Sequence, residues 1–273
     1  MLCGNPVQRG LRCMMRNMTT ERIDAAAREL ALARTERRQI VRLPESCKPA
    51  NDEDALAIQQ RIVQLLGDKV GGWKVSMPRG EHVFLAPLLA STIGSGSRYA
   101  IVANSGVARI EPEVAFVIGK DLPPRAAEYA ESDLRGAIKE ARLILEIIGS
   151  RIADPNAVPF VEFLADSINN QGLLLGPAVA NIFERQLEAL SITVSDPSRT
   201  LMTHDGKHPN GHPLRPLLWL ANFLSSRGDT LKAGSVVTTG SYAGVLEVPL
   251  DTPLSVSYGD LGKLDVTFER DRQ

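Results

Sequence analysis

The chain has 273 residues, 31 of them basic and 32 acidic, for a formal net charge of -1. That length is enough to bury a sizeable core as one large domain or one domain with a small appendage. The balanced charge gives no electrostatic reason to expect nucleic acid or an anionic membrane as partner, and no apolar run approaches the ~20 residues of a membrane span.

Residues 1–18 contain Arg9, Arg12 and Arg16 and no acid, which resembles a weak organelle transit segment; the plainer expectation is a disordered tail or upstream extension, with Met14, Met15 and Met18 preceding the first convincing helix. The three cysteines, Cys3, Cys13 and Cys47, match no metal or redox spacing. They fit a reducing compartment, and a cytoplasmic location is expected. Thr20 to about Arg38 places Ile23, Ala27, Leu30 and Ala31 on one helical stripe. Asn51 then caps a second helix carrying Ala55, Ile58, Ile62 and Leu65, stopped by Gly67. Residues 19–69 are therefore read as an N-terminal helical lobe.

After this lobe the texture changes to short strands separated by glycine and proline, beginning with Val70 to Val75. Lys74 lies inside that strand, where it either snorkels to solvent or projects into a site in which desolvation lowers its pKa toward acid–base use. Glu81 and His82 follow, and either can manage a water proton. In the stretch ARIEPEVAFVIG, residues 108–119, strand alternation puts Glu111, Glu113 and Ala115 on one face and Val114, Phe116 and Ile118 on the other. Pro112 lacks an N–H and belongs at a strand edge or bulge. Like charges this close either repel or share a cation.

Ser132 is placed to cap a helix through Leu134, Ala137, Ile138 and Ala141 that delivers the chain into a second apolar strand, LILEII at 143–148, whose only polar group is Glu146. A carboxylate buried there needs a partner: Arg142 or Arg151, or a hard cation shared with Glu111 and Glu113. Three carboxylates without histidine or cysteine at ligand spacing favour Mg²⁺ or Mn²⁺ over zinc. Further strands are read at Leu190–Val194 and Val236–Thr239, a helix after Pro213, and a closing hairpin in which Leu254, Val256 and Tyr258 face Leu264, Val266 and Phe268. His204, His208 and His212 have helical metal-face spacing, but Gly206, Pro209, Gly211 and Pro213 break any helix there, so a substrate-facing loop is the better reading. No phosphate loop, dinucleotide fingerprint or G-x-S-x-G elbow is present.

Several of these pieces, in this order, resemble the 2-keto-4-pentenoate hydratase family, with its related 4-oxalocrotonate decarboxylases, inside the fumarylacetoacetate hydrolase superfamily. They are GWK at 72–74, RIEPEVAFVIGKDLP at 109–123, LEIIGSRI at 145–152, GHPL at 211–214 and GDLGKLDVTF at 259–268. The resemblance implies an α+β fold: a mixed β-roll like the fumarylacetoacetase C-terminal domain over residues 70–273, with peripheral helices and the helical lobe. It also implies Mg²⁺ or Mn²⁺ at Glu111, Glu113 and Glu146, Lys74 as proton shuttle, a small 2-oxo acid as substrate and a homo-oligomer. The implied activity is hydration of a 2-hydroxy-2,4-dienoate in aromatic-compound catabolism, with decarboxylation of a 2-oxo-enedioate, C–C hydrolysis of an acylpyruvate, or a non-catalytic binding subunit as alternatives. Two departures stand out. The chain is shorter around Glu81 and His82, the expected water-handling residues. Where the family has A-D-N-A-S, this chain has Ala165-Asp166-Ser167-Ile168-Asn169. Asn169, Asn170, Gln171 and His212 are the expected neutral donors at the distal end of the substrate.

Overall fold

The computed structural model describes residues 18–103 and 106–271. The expected tail, with Cys3 and Cys13, lies outside them except for Met18, which is buried and donates its backbone N–H to Asp54 Oδ1 at 2.8 Å. Two helices lead, α1 (Thr20–Thr35) and α2 (Asp52–Leu65). Asn51 Oδ1 accepts the N–H of Asp54 at 2.9 Å, which satisfies one of the donors a helix start leaves open. The first helix stops three residues short of Arg38, and Arg37 turns back with a φ of 52°.

Among the described residues thirteen strands follow: β1 (Val70–Arg79), β2 (His82–Leu89), β3 (Ile93–Ser95), β4 (Arg98–Ile101), β5 (Val107–Ile118), β6 (Ile138–Ile148), β7 (Asn170–Val179), β8 (Ala189–Ser195), β9 (Thr200–Lys207), β10 (Val236–Thr238), β11 (Leu246–Pro249), β12 (Pro253–Tyr258) and β13 (Lys263–Arg270). Between them lie α3 (Glu131–Ala137), α4 (Phe160–Ala165) and α5 (Leu214–Ser226). The larger sheet runs β2-β1-β10-β5-β6-β7-β3, with β11 also paired to β5; the smaller runs β4-β13-β12-β8-β9. Strands β2 and β3 are at opposite edges of the larger sheet, yet only the three-residue turn Ala90–Thr92 joins them. So short a link cannot cross a flat seven-strand path at about 4.8 Å per strand, so the sheet is rolled until its edges approach. This is the mixed β-roll with peripheral helices that the resemblance implies.

The alternation read along β5 sorts its two faces. Val114, Phe116 and Ile118 join Leu143 and Leu145 of β6 and Val256, Tyr258, Leu264 and Phe268 of the smaller sheet in the main core. On the other face Ala115 packs with Leu88, Ile144, Leu173 and Val236. The cross-strand pairs Glu111–Glu146 and Glu113–Ile144 extend that inner face toward one end of the roll. The helices pack against β2: residues from α1 and α2 cluster with Ala86, Leu164 and Ile168, and Gln59 Nε2 donates to the carbonyls of Leu85 (3.0 Å) and Leu164 (2.6 Å).

Three local expectations change. The cap read at Ser132 lies two residues earlier, at Ala130, whose side chain caps nothing and whose own N–H is taken by Asp133 Oδ2 at 2.8 Å. The helix also ends at Ala137, and Ile138 and Ala141 belong to β6. Pro112 sits in a central strand rather than an edge. Its carbonyl accepts the N–H of Tyr242 at 3.2 Å on the side where β10 and β11 leave a gap along β5, so its missing N–H deprives no ladder of a donor. His204 lies on β9, paired with Ile192, and not in a loop.

Candidate metal centre

Carboxylate oxygens of Glu111, Glu113 and Glu146 lie within 4.8 Å of one another, the one such group of potential metal ligands found among the described residues. Glu113 and Glu146 are 1% and 0% exposed. Each is held by one oxygen. Glu113 Oε2 accepts from the Thr238 hydroxyl and from the backbone N–H groups of Thr239 (3.0 Å) and Gly240 (2.8 Å). Gly240 has a φ of 122°, and a Cβ there would meet Pro209 Cγ at 2.8 Å, so the close approach that brings this amide to Glu113 requires glycine. Glu146 Oε1 accepts from Asn170 Nδ2 and faces Lys74 Nζ, both at 2.9 Å, while Glu146 Oε2 is buried with no hydrogen-bond partner.

Lys74 comes to this cluster from across the roll. Its Nζ lies 3.4 Å from Glu111 Oε2 and 3.3 Å from the Ile168 carbonyl, with the side chain 16% exposed. It does not snorkel. The arginine partners considered for Glu146 are engaged elsewhere: Arg142 Nε donates to the Gly176 carbonyl and its NH1 to Glu140, and Arg151 pairs with Asp166. Burial works against the Lys74 ammonium, but Glu146 and Glu111 outweigh it and raise its pKa above the ordinary lysine value. Burial raises the pKa of Glu113, and Glu146 and Glu111 add to the effect. Burial raises Glu146 as well, against the lowering influence of Lys74.

One ammonium therefore faces three carboxylates, two of them wholly buried, with an orphan oxygen among them. An oxygen-only donor set of this kind fits a hard divalent cation, which would satisfy Glu146 Oε2 and relieve the repulsion. Other polar groups surround this floor. Ser76, two residues along β1 from Lys74, exchanges hydrogen bonds with Asn210, whose Nδ2 donates at 3.1 Å. His208 is 4% exposed, with Nε2 unpartnered and its ring edge-on to Tyr242 at 5.4 Å. Burial, with His212 second, lowers its pKa to about 4. Thr239 Oγ1 is also buried without a partner. Sequence reasoning did not single out Thr238, Thr239, Gly240, Ser76 or Asn210. Nothing in their local patterns sets them apart, and the one local signal at His208 is its four-residue spacing from His204 and His212.

The other expected site residues divide. Asn170 reaches Glu146, but its neighbour Gln171 points the opposite way, with Nε2 and Oε1 on the Val102 carbonyl (3.0 Å) and N–H (2.8 Å), and lines a separate groove of about 680 Å³ with Arg34 and Tyr99. Strand alternation accounts for the split. Asn169 is half-buried with Oδ1 unpartnered. His212 Nδ1 accepts the N–H of Leu214 at 3.1 Å, at the start of α5. Glu81 and His82 are not brought to the carboxylates. They are exposed at the β1–β2 turn, and Arg79, the partner of His82 in the hairpin, is five positions from Lys74, about 16 Å along an extended strand. His82 Nδ1 lies 2.9 Å from Asp52 Oδ1 and its ring packs on Phe160 at 4.4 Å.

Fold and donor set together define a β-roll protein whose inner face carries a carboxylate cluster suited to a hard cation. Residues 63–269 match the fumarylacetoacetate (FAA) hydrolase C-terminal family, and the chain belongs to that family. A 2-keto-4-pentenoate hydratase of Paraburkholderia phymatum is 27% identical over 259 residues, spanning 90% of this chain and 97% of its own length. A 4-oxalocrotonate decarboxylase of Pseudomonas putida is 23% identical over 266 residues, spanning 93% and 100%. Among solved structures, 4-oxalocrotonate decarboxylase from Pseudomonas putida G7, complexed with magnesium and adipate, is similar in fold, with a TM-score of 0.78 and 21% identity over 93% of this chain and 99% of that one.

Proposed function

We propose that this protein is a divalent-metal-dependent hydro-lyase that hydrates a 2-hydroxy-2,4-dienoate to a 4-hydroxy-2-oxo acid, acting in the cytoplasm as a homo-oligomer. The observation that carries the reading is the unsatisfied Glu146 Oε2 beside two further carboxylates and a half-buried lysine; the hydratase relatives supply the substrate class. Glu111, Glu113 and Glu146 would hold Mg²⁺ or Mn²⁺. The bound cation would stabilise the negative charge that gathers on the 2-oxo oxygen of the substrate.

The rest falls to the chain's own groups. Lys74 Nζ, an ammonium under the influence of Glu146 and Glu111, delivers a proton to C5 of the dienol as the 2-hydroxyl proton is lost, giving the 2-oxo-3-enoate. Water then adds its oxygen to C4 and a proton enters at C3, which balances the overall addition of one water. A cation held by the carboxylates would offset the charges that raise Lys74 and add its own repulsion to the effect of burial, so the Nζ proton would become easier to release. Thr238 and the amides of Thr239 and Gly240 orient Glu113 and favour its charged form against the effect of burial. Asn169, Ser76 and Asn210 are the neutral donors left to meet a short or weakly polar substrate tail. Asn170 and Gln171 are committed to Glu146 and Val102, and Glu81 and His82 have no part in this reading.

The test is to supply purified protein and Mg²⁺ or Mn²⁺ with 2-hydroxypenta-2,4-dienoate. The conjugated ultraviolet band should disappear and a 4-hydroxy-2-oxo acid appear by NMR. Release of carbon dioxide from a 2-oxo-enedioate, with no hydration of either compound, would transfer the protein to the decarboxylase branch that is also represented among its relatives.

A further inference from the structure

After α4 the chain carries three consecutive non-glycine residues in the left-handed region: Ser167 at φ 56°, Ile168 at 52° and Asn169 at 58°. For isoleucine this is an outlier, because the branched Cβ crowds the following carbonyl, and such a turn persists only where its surroundings over-determine it. Those surroundings are a buried ion pair, Arg151–Asp166, with side chains 7% and 2% exposed. Asp166 Oδ1 accepts from Arg151 Nε, and Oδ2 accepts from the backbone N–H of Arg151 (2.9 Å) and from Ser150 Oγ (3.2 Å). The remaining arms of the guanidinium donate to the carbonyls of Gly149, Asp166 and Asn170. Arg34 of α1 places a second guanidinium on the Asn170 carbonyl at 2.8 Å.

The clamp therefore grips the residue before the turn and the residue after it. What lies between is forced inward. The Ile168 carbonyl meets Lys74 Nζ at 3.3 Å, and the Asn170 carboxamide meets Glu146 Oε1 at 2.9 Å, while the Ile168 side chain is locked among apolar residues of the helical lobe. We propose that the Arg151–Asp166 pair is a positioning device that acts through this turn on Lys74 and on Glu146. Its effect on turnover rests on the hydratase reading, whereas its effect on cation binding does not.

Arg151→Lys tests it, since lysine keeps the charge and can reach Asp166 but cannot span three carbonyls as well. In the full chain, Mn²⁺ affinity measured by electron paramagnetic resonance should fall at least fivefold. On the dienoate, kcat should fall about tenfold or more with KM within threefold, and the circular dichroism spectrum should stay native. A loss in either arm supports the clamp, because Lys74 and Glu146 are held separately. If Arg151→Lys does not fold, Ser150→Ala removes the hydroxyl that donates to Asp166 and accepts the Ile152 N–H, and should still weaken Mn²⁺ binding about twofold. Weakened Mn²⁺ binding alongside a parent protein inert toward the dienoate keeps the clamp and discards the hydratase reading. Parental Mn²⁺ affinity and kcat in a folded Arg151→Lys protein overturn the clamp, as does a parent that binds no Mn²⁺.

Discussion

Lys74–Glu146 and Arg151–Asp166 are neighbouring pairs, each linked to Asn170, and both put a cation against a wholly or almost wholly buried carboxylate. Their hydrogen-bond inventories differ. Asp166 has both oxygens occupied, and Arg151 uses all three of its side-chain nitrogens, which is how a buried pair offsets its desolvation cost. Glu146 leaves one oxygen unpartnered, shares its single ammonium with Glu111, and lies beside a third carboxylate. The contrast separates two uses of buried charge: a closed pair fixes the backbone, and an open one keeps coordination capacity for something absent from the chain itself.

Substitutions at the two pairs should separate them. The largest effect is expected for Glu146→Gln: Mn²⁺ affinity, followed by electron paramagnetic resonance, should drop a hundredfold or more, yet the metal-free variant should melt no lower than the parent because repulsion in the cluster is reduced. A lower melting temperature with cation binding intact would make Glu146 a structural residue like Asp166. Next, Lys74→Ala should lower turnover at least about a hundredfold, the low end for a general acid–base group, with Mn²⁺ affinity nearly unchanged. Steady-state kinetics near the parental rate would return Lys74 to a structural role.

At the closed pair the expected loss is in stability. Asp166→Asn leaves Arg151 buried without its counter-charge, and urea denaturation should show about 3 to 5 kcal/mol less stability, with or without metal. A smaller effect distinguishes the open cluster by pH. Glu113 and Glu146 are raised to about 8 and about 7, so the stability they give by staying protonated is complete below the ordinary carboxylate range and is lost as pH rises through those values. The metal-free protein should therefore melt progressively lower from about pH 6.5 to 8 and level off above that, and excess Mg²⁺ should flatten that slope. His208, lowered to about 4, does its titrating below this window, and Lys74 above it. The smallest change is expected at the hairpin tip: His82→Ala should leave kcat and KM within about threefold, and a hundredfold loss of kcat would bring the tip back into the site.

Much of the candidate site was legible because the relevant signals are local. A carboxylate alone in an apolar run, as at Glu146, has few physical explanations, and two glutamates separated by one residue must share a strand face. The alternation rule that grouped Glu111 with Glu113 also separates Asn170 from Gln171, so the mistaken grouping of those two was avoidable. The displacement of Glu81 and His82 was not avoidable in the same way. Their distance from Lys74 depends on how far the β1–β2 hairpin extends before it turns, and the gripping of the left-handed turn by Arg151 and Arg34 joins residues far apart in the chain.

By itself the sequence determined the strand faces, the capped second helix, the closing hairpin and the three carboxylates, all of which follow from periods of two or 3.6 residues and from the cost of burying charge. Only the tertiary structure decided which cation meets Glu146. Lys74 on β1 and Glu146 on β6 are three strand positions apart, about 14 Å across a flat sheet, and nothing in either segment encodes the curl that closes this gap to 2.9 Å between their side chains. That curl comes from the short Ala90–Thr92 link drawing the sheet's edges together and from the smaller sheet packed on its outer face. These are properties of the whole chain, and they turn scattered charges into one site.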